Sequence, residues 1–186
     1  MQEDLIREWM SGDALRMRAL HAAREIARDM DLPDWCLAAG FVRNLVWDKL
    51  HDFETPTPLD DVDLIYFDPV QTSREHDRRI EAQLDAIEPD LPWSVHNQAR
   101  MHERNGDAPY RSTVDAMSYW VEQETAVGVR LDQNDRIEIV TAFGLENLFA
   151  RRITPNSRKR NSAAEFSARL ARKNWLWIWP ELRVNA

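Results

Sequence analysis

The sequence predicts a small α/β (α+β) fold: a mixed sheet flanked by helices, with a helical C-terminal piece. Three observations carry this. Strand-like and helix-like periodicities alternate along the chain. One short run, Leu59 to Asp68, is apolar and β-branched with acids in its leading half. The 186 residues, 44% hydrophobic and 30% charged, suffice for one domain with a real core.

In chain order, Gly12 to Met30 reads as a helix with Ala19, Ala22, Ala23, Ile26 and Met30 on one stripe and Ser11 as its cap. Asp31 to Asp34, with a proline, breaks it. Trp35 to Ala39 is a short buried strand ended by Gly40. Phe41 to His51 places Val42, Leu45, Val46 and Leu50 on one helical face. Asp52 to Pro58 is a loop into the acidic strand. Ser73 caps a helix to about Glu88, closed by Pro89 and Pro92. Trp93 to Met101 alternates as a strand, and Glu103 to Tyr110 is a loop. Ser112 opens a helix to about Glu122 with a capping-box pattern. Ala126 to Leu131 and Arg136 to Thr141 form a hairpin. Gly144 to Arg152 is a short helix, and Asn161 to Trp177 is the last one. Residues 154–186 are read as a basic, Trp-rich helical segment packed on residues 1–153 in a single structural unit.

The acidic run holds the chemistry. On a strand, Asp61 and Asp63 share a face with Ile65 and Phe67, while Val62, Leu64 and Tyr66 face the other way. Their Cβ atoms then stand roughly 7 Å apart, so their oxygens converge on a divalent ion. Upstream, Gly40-Phe41-Val42-Arg43-Asn44 sits at a strand-to-helix turn. A glycine there lets backbone approach a ligand, and fresh helical N–H groups favour phosphate. Turn and acids together form a pattern that holds a nucleoside triphosphate and its metal.

Charge is uneven. Through Ala150 there are 15 Lys and Arg against 30 Asp and Glu, yet Arg151 to Lys173 has eight basic residues and one acid, Glu165. An acidic body argues against broad coating of nucleic acid. The basic segment either binds a phosphate-bearing ligand or docks on the acidic body. The single cysteine, Cys36, excludes an internal disulfide framework and fits a reducing cytoplasm, the expected compartment. No stretch approaches the roughly 20 apolar residues that span a bilayer, and the first residues lack the layout of a secretory signal.

The chain resembles the nucleotidyltransferase (DNA polymerase beta-like) superfamily, and within it a bacterial nucleotidyltransferase-like family of poorly defined role. The resemblance rests on Ala39 to Asn44 with Val46-Trp47-Asp48, on Asp61-Val62-Asp63 with Tyr66-Phe67-Asp68, on Asn97 to His102, Ala126 to Arg130, Phe143-Gly144-Leu145 and Trp179-Pro180. The Gly40 turn is also similar to that of enzymes that add the terminal CCA to tRNA, a local likeness that does not carry over their substrate. Phe41 stands where the superfamily turn has Gly or Ser.

The resemblance implies transfer of a nucleoside monophosphate from an NTP to an acceptor (small molecule, protein or RNA) with Mg²⁺ or Mn²⁺. Asp61 and Asp63 would hold the metal, and Gly40, Phe41, Arg43, Asn44, Asn97 and Arg100 would line the nucleotide site. Arg43 is open to pairing with a phosphate or with Asp48. The superfamily adds a third carboxylate. The strand from Trp93 offers His96 and Asn97 but no acid, which leaves Glu138 as the candidate, equally readable as a solvent-facing acid. The alternative is a fold that binds a nucleotide or protein without catalysis. A weaker third reading, from the turn and the basic residues Arg158, Lys159 and Arg160, is tRNA processing.

Overall fold

The computed structural model describes residues 1–158 and 162–185. Its centre is a five-stranded mixed sheet of β1 (Cys36–Ala38), β2 (Val62–Tyr66), β3 (Trp93–Asn97), β4 (Val127–Leu131) and β5 (Ile137–Thr141), in the order β3-β2-β1-β4-β5. β3 runs parallel to β2, and the other pairings are antiparallel.

The alternation of side chains on these strands produces two unequal layers. Leu37, Val62, Leu64, Tyr66, Trp93, Val95, Val127 and Val129 belong to the main core, built largely with side chains of α1 (Gln2–Ser11), α2 (Ala14–Asp29), α3 (Gly40–Leu50) and α4 (Arg74–Ile87) and joined by Leu148, Phe166 and Trp175 from later helices. Cys36, Ala38, Ile65 and Val140 face the other way, into a small cluster with Met117 and Ala126. Asp61 and Asp63 are on this second, thinly covered face, as the alternation predicts, and so remain open to a ligand.

Several boundaries differ from expectation. α1 was not foreseen; it buries Ile6 and Met10, an i,i+4 pair, on the core. Asp13 rather than Ser11 caps α2, accepting from the Arg16 N–H at 3.0 Å. β3 ends at Asn97, not Met101, because the Asn97 side chain accepts the Ala99 N–H and turns the chain into a short helix, α5 (Met101–Asn105). Ser112 does cap α6 (Thr113–Met117), which stops well before Glu122.

Beyond the sheet come α7 (Glu146–Phe149), β6 (Arg152–Ile153), α8 (Ser162–Lys173), α9 (Trp175–Ile178) and β7 (Arg183–Val184). The expected last helix breaks at Asn174, whose backbone is left-handed (φ 52°). β7 then pairs in parallel with β6. Trp47 on α3 meets the edges of Trp175 and Trp179, at 5.7 and 5.1 Å between ring centres, while Trp177 stays exposed. The Trp179 indole also donates to Asp48 Oδ1 at 2.8 Å.

One glycine is required by packing alone. A Cβ on Gly128 would stand 2.7 Å from Cys36 Sγ and 3.1 Å from the Leu37 carbonyl, inside the β1–β4 pairing. Gly128→Ala is therefore expected to destabilise the protein by about 1–3 kcal/mol in urea unfolding. An unchanged midpoint would show that β4 moves away from β1 at little cost.

Candidate active site

The antiparallel pairing of β1 with β2 sets Ala38 opposite Asp63. The chain leaving β1 therefore turns into α3 beside the start of β2, where the acids are. That turn is tight. Ala39 takes a positive φ of 57°, an uncommon conformation for a residue with a side chain, and its N–H donates to the Val127 carbonyl at 2.9 Å. The Ala39 carbonyl accepts the N–H groups of Val42 and Arg43, which leaves the N–H groups of Gly40 and Phe41 without an acceptor among the described residues, the open donors of α3.

Gly40, Asn44, Asp61 and Asp63 line one cleft of about 100 Å³, closed on the far side by Arg169 and Lys173 of α8. Burial and the neighbouring Asp61 charge push the Asp63 carboxyl up to about 6; Ser94, Arg43 and Lys173 oppose this. Ser94 stands opposite Asp63 on β3, and its hydroxyl meets His96 Nε2 at 3.2 Å.

Arg43 is the buried cation of the cleft. Its guanidinium donates to Thr125 Oγ1 at 2.8 Å and to Asn44 Oδ1 at 2.9 Å, and lies 4.4 Å over the Trp175 ring. Nε has no partner among the described residues, and burial lowers the pKa to about 10. A buried cation fixed by neutral groups beside a cleft suits a phosphate. Arg43 does not pair with Asp48, which instead accepts from Thr57 and Trp179.

The structure thus brings together Gly40, Arg43, Asn44, Asp61 and Asp63. It separates the other expected site residues from them. The Phe41 side chain is fully buried in the core, so only its backbone belongs to the turn. Asn97, also fully buried, spends its amide on the Asp68 and Gln71 carbonyls and its oxygen on the Asp68 and Ala99 N–H groups. It braces the far end of the parallel pair. Arg100 pairs with Asp77 in a different groove, between α4 and α5. Glu138 is exposed on edge strand β5, three strands and about 14 Å from β2, where Arg130 donates to it at 2.8 Å.

Sequence reasoning did not single out Thr125, Arg169 or Lys173. The last two stand four apart on α8, one helical face, and each meets an acid: Arg169 donates to Glu122 at 2.7 Å and Lys173 to Asp60 at 3.0 Å. The basic segment therefore docks on the acidic body and lines the cleft at once. Lys159 and Arg160 lie outside the described residues.

Asp61 and Asp63, which line one cleft, are the residues that could hold a divalent cation. Among the described residues no group of three or more His, Cys, Asp and Glu is placed to do so. Two carboxylates are a sufficient protein contribution where phosphate oxygens complete the shell, the usual arrangement for Mg²⁺. The burial and the neighbouring Asp61 charge that raise Asp63 are both penalties on its ionised form, which a bound cation would offset.

That upward shift has a consequence for stability. With a folded pKa near 6 against 3.8 for the free group, the native state holds the extra proton between those values. Without divalent cations, stability should fall as pH rises from about 4 to 6, by on the order of 2–3 kcal/mol. Asp63→Asn should remove this decline and be the more stable protein at pH 7.5 in urea titrations. Parallel pH profiles for the two would show that Asp63 is not the group responsible.

A family model described as Nucleotidyltransferase matches residues 25–184. A solved structure whose description is that it "reveals a CCA-adding enzyme head domain", determined by NMR, is 34% identical, with a TM-score of 0.80, covering 97% of this chain and 94% of that one. A CCA-adding enzyme solved with CTP is 12% identical over 99% of this chain, with a TM-score of 0.64. A tRNA nucleotidyltransferase solved with a primer tRNA and an incoming ATP analog is 14% identical over 88%, with a TM-score of 0.58. This chain covers only 43% and 46% of the latter two, whose likeness is one of fold. No curated protein matches. With the family match running from α2 into β7, across every strand of the sheet, the chain belongs to the nucleotidyltransferase family.

Proposed function

We propose that the protein transfers a nucleoside monophosphate from an NTP to an acceptor, with pyrophosphate leaving, in a reaction that depends on Mg²⁺ or Mn²⁺. The observation that carries this is the single cleft in which the Gly40 turn, the Asp61–Asp63 pair and the cations Arg43, Arg169 and Lys173 meet. In this reading the open N–H groups of the turn and the three cations hold the triphosphate, which fixes the α-phosphorus relative to the two acids. A divalent ion held by Asp61 and Asp63 would neutralise charge developing on the phosphates. The structural relatives solved with CTP and with a primer tRNA make an NTP and an RNA hydroxyl the first donor and acceptor to test.

A second reading, a nucleotide-binding module without turnover, is favoured by one feature: the β3 residue facing Asp63 is Ser94, not a carboxylate. Titration calorimetry of the four NTPs with and without Mg²⁺, followed by pyrophosphate-release assays over a panel of acceptors, separates the two. The catalytic reading expects metal-dependent binding and turnover, with turnover falling about 100-fold or more in Asp61→Asn and Asp63→Asn. Undiminished Mg²⁺-dependent turnover in Asp63→Asn sinks it, and metal-dependent binding without pyrophosphate from any acceptor supports the module.

Gly40 provides an independent check. A Cβ there would find no atom nearer than 3.5 Å, so the fold itself does not require glycine. Gly40→Ala should keep the wild-type melting temperature within a few degrees yet weaken NTP binding about tenfold or more, because the methyl stands where phosphate oxygens approach the backbone. Unchanged affinity would remove the turn from the binding site.

A further inference from the structure

Beside the acidic cleft is a second chamber of about 230 Å³ that shares Ala39, Asp63, Thr125 and Arg169 with it. Together the two hold about 330 Å³, near the lower end of small-ligand pockets. Unlike the first, the second has an aromatic wall, formed by Tyr119 and Trp120.

The two rings are not equivalent. Tyr119 is already in use: the Arg158 guanidinium lies 4.0 Å over it and Tyr110 stacks obliquely at 5.1 Å. Trp120 makes no ring–ring or cation–π pair among the described residues, and it is only half-buried against the small cluster on that face of the sheet. Its backbone is nonetheless held firmly. The Asn156 amide donates to the Ser118 and Trp120 carbonyls at 2.8 and 2.7 Å, and the Trp120 N–H donates to the Met117 carbonyl at 3.0 Å. Glu122, at the boundary of the chambers, is almost fully buried. One of its oxygens is bound by Arg169, and the other has no partner among the described residues.

We propose that this second chamber is the nucleoside subsite, in which the base of the NTP stacks on the Trp120 indole while its phosphates occupy the acidic cleft. This rests on the nucleotidyltransferase reading above and adds where the nucleoside goes. An aromatic face left free on a rigid turn, next to a pocket already supplied with phosphate-binding cations, matches both halves of a nucleotide. Stacking accepts every base, since each has a π face. The subsite therefore supplies affinity for a nucleoside without choosing among the four.

The test compares ATP, CTP, GTP, UTP and inorganic tripolyphosphate, each with Mg²⁺, by equilibrium binding to the full chain and its Trp120→Leu and Trp120→Phe variants. Trp120→Leu should weaken all four NTPs about 5- to 100-fold, and Trp120→Phe should recover most of the loss. Tripolyphosphate should bind all three proteins equally, which also shows that the cleft is intact. If Trp120→Leu leaves NTP affinity unchanged while tripolyphosphate binds, the subsite is overturned and the nucleotidyltransferase reading stands. Equal losses for NTP and tripolyphosphate likewise overturn it, since the change would then act on the whole cleft. If neither ligand binds the wild-type protein, the nucleotidyltransferase reading fails and the subsite with it.

Discussion

The architecture of the cleft depends on one register, Ala38 opposite Asp63 in an antiparallel pair. Because β1 and β2 run in opposite directions, the end of one meets the beginning of the other. The turn that opens α3 and the acids that open β2 are thereby neighbours without any long loop to hold them. A one-residue slip would do more than shift the acids along. It would turn Asp61 and Asp63 into the main core and swing Leu64 out of it, since side-chain facing has a period of two. Specification of the core and specification of the site are one and the same here. Gly128 takes part in this from the other side of β1, where it leaves room for Cys36.

Electrostatically the cleft is a set of charges none of which is satisfied by burial alone. Asp63 is pushed up by its surroundings and Arg43 down. The cations of α8 are tied to Glu122 and to Asp60 at the cleft's edge, instead of to the central pair. An arrangement selected only for stability would pair Asp63 directly with one of these cations and reduce its penalty. Keeping them apart leaves acids and cations lining one cleft, complementary to a cation and to a polyphosphate.

Much of this was legible in the sequence. The period-two acids, the glycine turn and the caps at Ser73 and Ser112 are local signals, and local physics decides them. Asn97 and Arg100 were misread for an instructive reason. Polar residues on a strand look alike whether they line a cleft or brace a turn, and only the structure shows the Asn97 amide fully used by backbone groups. Glu138 failed similarly, because strand order is not contained in strand pattern: a hairpin following the acids in sequence adds to the sheet beyond β1. Arg169 and Lys173 were visible only as part of a basic tract. Which of its charges face the cleft depends on the phase of α8 and on the anchoring of the tail by Trp175 and Trp179.

That anchoring bears on how the cleft obtains its charge. The acids and the turn belong to the sheet and α3, whereas Arg169 and Lys173 come from α8, which is followed by Trp175, packed on Trp47 of α3. Of the cations that line the cleft, Arg43 alone stands on α3, beside Asp60, Asp61 and Asp63. The balance of three acids against three cations therefore depends on α8 being packed in place: the helix that closes the cleft also brings two of its three positive charges.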